Sequence, residues 1–234
     1  MAGTSVGFVG TVGGAGTTQT ILEIGGVLAR TGRDVLVFDL DFATQGLARH
    51  VDGAIGEDTT SLLADPAVEL EEVVREWEID GDGRLEVIPA RAPFAKIAEA
   101  KSETAGARVE ERLEAAAERA DWVLLDVPPV VSNQAIGAVT AVDRSVAVIP
   151  PSERGVDALQ RERGRLADVG TEFDAVLAVG PGTPPPDATA HVPARPADAP
   201  SHRPATGADG SFTREVATAT AAVLETAIEI DEES

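Results

Sequence analysis

The part of this 234-residue chain best suited to chemistry is Gly10-Thr11-Val12-Gly13-Gly14-Ala15-Gly16-Thr17-Thr18-Gln19-Thr20. It lies between a short apolar run, Ser5 to Val9, and a helical pattern from Thr18 to Arg30. A glycine loop between a strand and a helix can line up backbone N–H groups as a cradle for phosphate, at the positive end of the helix dipole. Glycine suits such a loop because it accepts strained angles and lets a ligand approach the backbone. Three carboxylates at strand ends, Asp39, Asp41 and Asp126, form the second chemical group. By themselves Asp39 and Asp41 can be explained as caps and solvating groups at a strand end, and Thr18 as a helix cap, whereas burial of Asp126 beside Pro128 and Pro129 favours a metal role if a nucleotide binds. The loop in turn is open to two readings: a turn that holds the strand–helix corner and binds nothing, or a weak phosphate site.

Other constellations are weaker. His50, His191 and His202 are scattered without ligand spacing and are expected at the surface. Ser132 has no histidine near it to make a nucleophilic triad. Asp80 to Arg84, DGDGR, lacks the remaining ligands of a calcium loop and is expected to be a plain turn. With no cysteine in the chain there is neither a disulfide framework nor a thiolate metal site.

The elements that must position these residues follow from hydropathy. Asp34 to Leu40, Leu85 to Ile88, Trp122 to Val127, Ser145 to Ile149 and Ala175 to Val179 are short, non-alternating apolar runs. Such runs suit strands covered on both faces. Glu103 to Arg119 is an amphipathic helix, and a last helix is expected at about Thr213 to Ile228. Strands alternating with helices imply an α/β fold: a single doubly wound, mostly parallel sheet of about seven or eight strands over residues 1–234. A ligand would then bind at the carboxyl ends of the strands, around the glycine loop. Eight prolines between Pro181 and Pro204 predict a long surface loop over 181–207, interrupted by a short strand at Ala190 to Val192. Residues 229–234 read as an acidic tail.

Net charge is −21, with 40 acidic residues against 19 basic ones, only two of which, Lys96 and Lys101, are lysine. A field of that sign repels nucleic acid and anionic lipid. Acid excess with little lysine resembles the proteome of an extreme halophile, whose carboxylate-rich surfaces stay soluble in concentrated salt. An acidic mesophilic protein is the alternative. No apolar run approaches the ~18 residues of a membrane span, and Met1 to Phe8 has no secretory pattern, so a cytoplasmic protein is expected. The arginines 154, 161, 163 and 165 are interleaved with Glu153, Asp157 and Glu162, which suggests an ion-paired solvated face rather than a DNA footprint. The acidic C-terminal segment from Glu225 is a poor membrane anchor.

The glycine loop resembles the deviant Walker A motif, K-G-G-x-G-K-T-T, of the ParA/MinD family of P-loop ATPases, with Gly13, Gly14, Gly16 and Thr18 matching and Ala15 permitted. Asp39-Leu40-Asp41 is similar to the family's D-x-D segment, Thr44 to Leu47 to its switch I, and Asp126-Val127-Pro128-Pro129 to its Walker B strand end and D-x-P-P switch II. Leu85 to Ala90 and Val146 to Pro150 resemble two further family strands, so the likeness runs along nearly the whole chain in order.

The resemblance implies a nucleotide site at Gly13, Gly14, Ala15, Gly16, Thr17, Thr18 and Gln19. It implies Mg²⁺ near Thr18, Asp39 and Asp126, and an attacking water oriented by Asp41. It also implies ATP-driven dimerisation in partitioning or spatial positioning. The departures fall in the site itself. The two lysines of the motif are replaced by Val12 and Thr17, and the family's adenine-contacting Asn gives way to Val179-Gly180-Pro181. A charge-assisted hydrogen bond is worth roughly 1.5–3 kcal/mol, so losing the main one weakens a polyphosphate about ten- to a hundredfold. The expectation is a pseudo-ATPase scaffold or regulator with weak Mg²⁺ and ATP binding, acting as a homodimer or paired with a lysine-bearing paralogue. The alternatives are an active ATPase in which another cation replaces the lysines, with Arg91 and Arg154 as candidates, and a binding module for a different anion.

Overall fold

The computed structural model describes residues 2–77, 79, 81–199, 204–207 and 210–229. Its eight strands are β1 (Thr4–Gly10), β2 (Asp34–Asp39), β3 (Arg75–Trp77), β4 (Arg84–Ile88), β5 (Trp122–Val127), β6 (Arg144–Ile149), β7 (Ala175–Val179) and β8 (Ala190–Val192). They form one sheet in the order β3-β4-β2-β5-β1-β6-β7-β8. Every pairing is parallel except β3 with β4. The doubly wound, mostly parallel sheet expected from the sequence is the fold observed.

Helices cover both faces. α1 (Thr17–Arg30) and α8 (Ser211–Leu224) lie on one; α2 (Thr59–Ala64), α3 (Leu70–Val73), α4 (Phe94–Ala100), α5 (Glu103–Ala117) and α6 (Asn133–Ala141) build the other. α7 (Glu153–Asp168) packs beside β6. The period-two alternation of strand side chains decides which residues see which helices. Leu124 joins the α1 core, whereas Val123, Leu125 and Val127 join the α5–α6 core. The same alternation puts Val35, Val37 and Leu124 on the α1 side, and places Asp39 and Asp126 at the strand ends of that face.

The antiparallel edge strand β3 and helices α2, α3, α4 and α6 had no separate signal in the sequence. β3 is three residues with mixed burial, too short to show a period. The expected turn at DGDGR is cut short, since Arg84 already belongs to β4; Asp80 lies outside the described residues. The Pro-rich stretch 181–207 is less loose than its composition suggests. Within it β8 extends the sheet at Ala190–Val192, and a short 3-10 turn at Ala205–Gly207 docks on α1. Glu23 of α1, 1% exposed, accepts hydrogen bonds from Arg195 Nε at 2.8 Å and from the Thr206 N–H at 3.0 Å. Residues 200–203 and 230–234, which include His202 and most of the acidic tail, lie outside the described residues. Among the described residues no helix is long and apolar enough to cross a membrane.

Candidate functional site

β1 ends at Gly10 and α1 begins at Thr17, so the glycine loop must reverse the chain within six residues. Gly14 and Gly16 make that possible at φ 78° and 82°, angles at which a side chain is strained. Gly16 caps α1 without a side-chain bond, which leaves the N–H groups of the helix's first turn facing outward. No atom lies within 4 Å of where a Cβ would stand on Gly13 or Gly14, so the backbone borders open space.

That space is a cavity of about 300 Å³. It is lined by the loop at positions 10 and 12–19, by Asp41, Thr44, Gly46, Arg49 and His50 of the segment after β2, and by Asp126 to Pro129 after β5. It sits at the carboxyl ends of the central strands, where a parallel sheet offers its crevice. The loop, the D-x-D segment and the D-V-P-P segment, separate in sequence, converge here.

The centre of the cavity is a hydroxyl–carboxylate pair: Thr18 Oγ1 donates a short hydrogen bond to Asp126 Oδ2. Thr18 is the second residue of α1, so its hydroxyl serves Asp126 and does not cap the helix as its sequence position suggests. Asp126 is 2% exposed. Burial pushes its carboxyl up to about 7; the Thr18 bond opposes that rise and the negative charge of Asp41 adds to it. Asp39 is fully buried beside it and raised well above the usual carboxylate range, first by burial and then by Asp126.

The two acids of the D-x-D segment divide the work. Asp39 does not line the cavity. Its Oδ1 accepts the Asp41 N–H at 3.0 Å and its Oδ2 the Leu47 N–H at 3.1 Å, which ties down the segment between them. Asp41 does line the cavity; it accepts the Thr44 hydroxyl at 2.7 Å and the backbone N–H groups of Ala43 and Thr44. Gln19, also lining, donates to Glu23 at 2.8 Å. A hydroxyl and a carboxylate side by side are the hard oxygen donors a divalent cation takes, so the pair suits Mg²⁺. No cluster of three or more metal-ligating side chains occurs among the described residues, so water and ligand oxygens would complete such a shell.

Val12 and Thr17 both line the cavity, so the missing lysine positions do face the site. Arg91 and Arg154 do not line it. The arginine that does is Arg49, at the end of a 3-10 turn, Leu47–Arg49. His50, expected at the surface, also lines the cavity, with its ring centroid 6.0 Å from that of Trp77. His191 is in β8, with Nε2 at 2.8 Å from the Gly180 carbonyl. Sequence reasoning missed Arg49 although the signal was there: it stands two residues beyond a segment already assigned to the site.

A second missed residue is Glu162. It belongs to the charged run of α7 that was expected to be solvated, yet it is 2% exposed. It accepts the buried Val130 N–H at 3.0 Å, just past Pro128 and Pro129, and pairs with Arg165. Its spacing from Leu159 and Leu166, both fully buried, marks it as inward-facing.

The chain is 31% identical over 136 residues to the sporulation initiation inhibitor protein Soj of Bacillus subtilis, an alignment that spans 57% of this chain and 53% of Soj. It is 27% identical over 159 residues to the maintenance of carboxysome distribution protein A of Synechococcus elongatus, over 67% of this chain and 62% of that protein. The chain thus spans between half and two thirds of these relatives' lengths. The septum site-determining protein MinD of Pyrococcus horikoshii, solved with Mg-ADP, superposes with a TM-score of 0.76 at 17% identity, covering 93% of this chain and 94% of that one. The AAA domain family model matches residues 4–175. The chain belongs to the AAA domain family, and its sequence and fold are those of a ParA/MinD-type P-loop protein.

Proposed function

We propose that this protein is a ParA/MinD-like partitioning or positioning factor that works as a pseudo-ATPase, a scaffold or regulator with weak Mg²⁺–nucleotide binding and feeble or absent hydrolysis. The observation that carries this is the lining of the cavity, where Val12 and Thr17 stand at the two lysine positions while Thr18, Asp41 and Asp126 remain. The positioning role rests on the named tasks of the relatives: sporulation control, carboxysome distribution and septum placement. The site fits a nucleotide in its open glycine backbone and fits Mg²⁺ in the Thr18–Asp126 pair. When bound, the cation would offset the charge of the phosphates. The loop amides would hold the phosphates, and Asp41 would orient water if any turnover remains.

The loss of loop cations bears more on the transition state than on binding, because charge builds on the transferring group. The same loss favours an assembly in which a lysine-bearing paralogue, or a second copy, completes the nucleotide site. The acidic surface favours a cytoplasm rich in salt and disfavours DNA or membrane partners.

Calorimetric titration of ATP and ADP with Mg²⁺ at high KCl, paired with a turnover assay, tests the proposal. Weak binding with negligible turnover is the expected result. Brisk Mg²⁺-dependent hydrolysis by the pure protein, abolished by Asp41→Ala, would establish an active ATPase in its place.

A further inference from the structure

We propose that Arg49 is the cation that meets the ligand's polyphosphate in this cavity, taking over from the segment after β2 the role the glycine loop gives up at Thr17. The inference rests on the anion-binding site proposed above and names the residue that makes it workable. Among the described residues lining the cavity, Arg49 is the sole lysine or arginine, and it faces a wall that also carries Asp41 and Asp126.

Its backbone is fixed while its side chain is exposed. Leu47, two residues before it, is fully buried, and its N–H is held by Asp39. The Arg49 N–H closes the turn onto the Gly46 carbonyl at 3.2 Å. Gly46 presses the turn against the loop helix: a Cβ there would lie 2.6 Å from Thr18 Oγ1. The turn that carries Arg49 is therefore seated directly on the residue at the centre of the site.

The guanidinium is also uncommitted. Arg84, Arg119, Arg144, Arg163, Arg165 and Arg195 each pair with a carboxylate. Arg49 pairs with none among the described residues, in a chain with 40 acidic side chains. A planar fork of donors without a carboxylate partner on the lining of a cavity of about 300 Å³ matches the geometry of phosphate oxygens. The ligand class is a polyphosphate, supplied either by a nucleoside di- or triphosphate or by an inorganic polyphosphate.

The test is calorimetric titration of wild type, Arg49→Ala, Arg49→Lys, Thr17→Lys and the Arg49→Ala/Thr17→Lys double variant, with Mg-ATP and separately with inorganic tripolyphosphate, at one fixed salt concentration. Arg154→Ala serves as the control for bulk charge. Arg49→Ala is expected to weaken binding about ten- to a hundredfold. Arg49→Lys should recover part of that loss, the double variant most of it, and Arg154→Ala should stay within twofold of wild type. Wild-type binding of Mg-ATP with Arg49→Ala within twofold of it overturns the assignment and leaves the nucleotide site standing. Arg49-dependent binding of tripolyphosphate but not ATP supports the assignment and overturns the nucleotide reading. Wild type that binds neither probe overturns both.

Discussion

Asp39 and Asp126 stand opposite each other in register across β2 and β5, both buried, with no lysine or arginine among the residues lining the cavity beside them except the exposed Arg49. Two carboxyl groups so placed resist ionisation together. In the folded protein Asp126 keeps its proton up to about pH 7, whereas in the unfolded chain it ionises near its ordinary value of 3.8. The folded state therefore binds the proton more tightly. The resulting stability is full below the unfolded value and is lost as pH rises through 7. Asp126→Asn is expected to gain about 2–3 kcal/mol relative to wild type between pH 5 and pH 8, measured as urea unfolding at both values. Mg²⁺ added at pH 8 should raise wild-type stability and leave the variant unmoved. A constant difference across the range would contradict the burial argument.

Restoring the loop cation tests the same site from the opposite direction. Thr17 lines the cavity and is nearly buried, so a lysine there would direct its ammonium toward the bound phosphates. Thr17→Lys is expected to tighten Mg-ATP about ten- to a hundredfold in a calorimetric titration. Unchanged affinity would mean that charge is not what limits binding.

Glu162 is expected to hold the segment after β5 in place. Truncation to alanine leaves the buried Val130 N–H without an acceptor and Arg165 without its partner. Glu162→Ala should cost about 2–4 kcal/mol, and Glu162→Gln, which keeps an acceptor oxygen, clearly less. Amide exchange at Val130 should accelerate at least tenfold in the alanine variant while that of β5 stays slow. Equal losses in both variants would assign the effect to charge and not to the hydrogen bond.

Glu23 makes a parallel case on the other face. Its carboxylate gathers Gln19, Arg195 and Thr206. Glu23→Ala is expected to destabilise the protein by about 3 kcal/mol. It should also open the segment that carries Arg195 to a protease of broad specificity such as subtilisin, read as a new fragment in a timed digest. An unaltered digest would show that other contacts hold the segment down.

The fold was legible because its inner strands are buried on both faces and therefore read as uninterrupted apolar runs; β5 matches its expected span of Trp122 to Val127 at both ends. What escaped was the part whose structure depends on partners distant in sequence. β3 exists only by pairing with β4, and Arg75 to Trp77 has no pattern of its own. In the site, the loop and the three aspartates carry spacing that survives in one dimension. Arg49 and Glu162 do not, because their significance comes from a turn anchored on Asp39 and from a helix face pressed against the loop after β5. The surface expected around Glu162 was misjudged because a run of charges was read by composition, although the helical period from Leu159 to Leu166 already pointed it inward.

The docking of the C-terminal segment on α1 sets how little of this chain can be removed. The match to the family model stops at residue 175, yet Val192, Phe212, Val216 and Val223 share one core cluster with Ile21, Leu28 and the central strands. A protein cut at that border would uncover the apolar back of the very helix whose first turn faces the cavity. The stretch that the family model matches and the residues after it are, in this molecule, joined through one core.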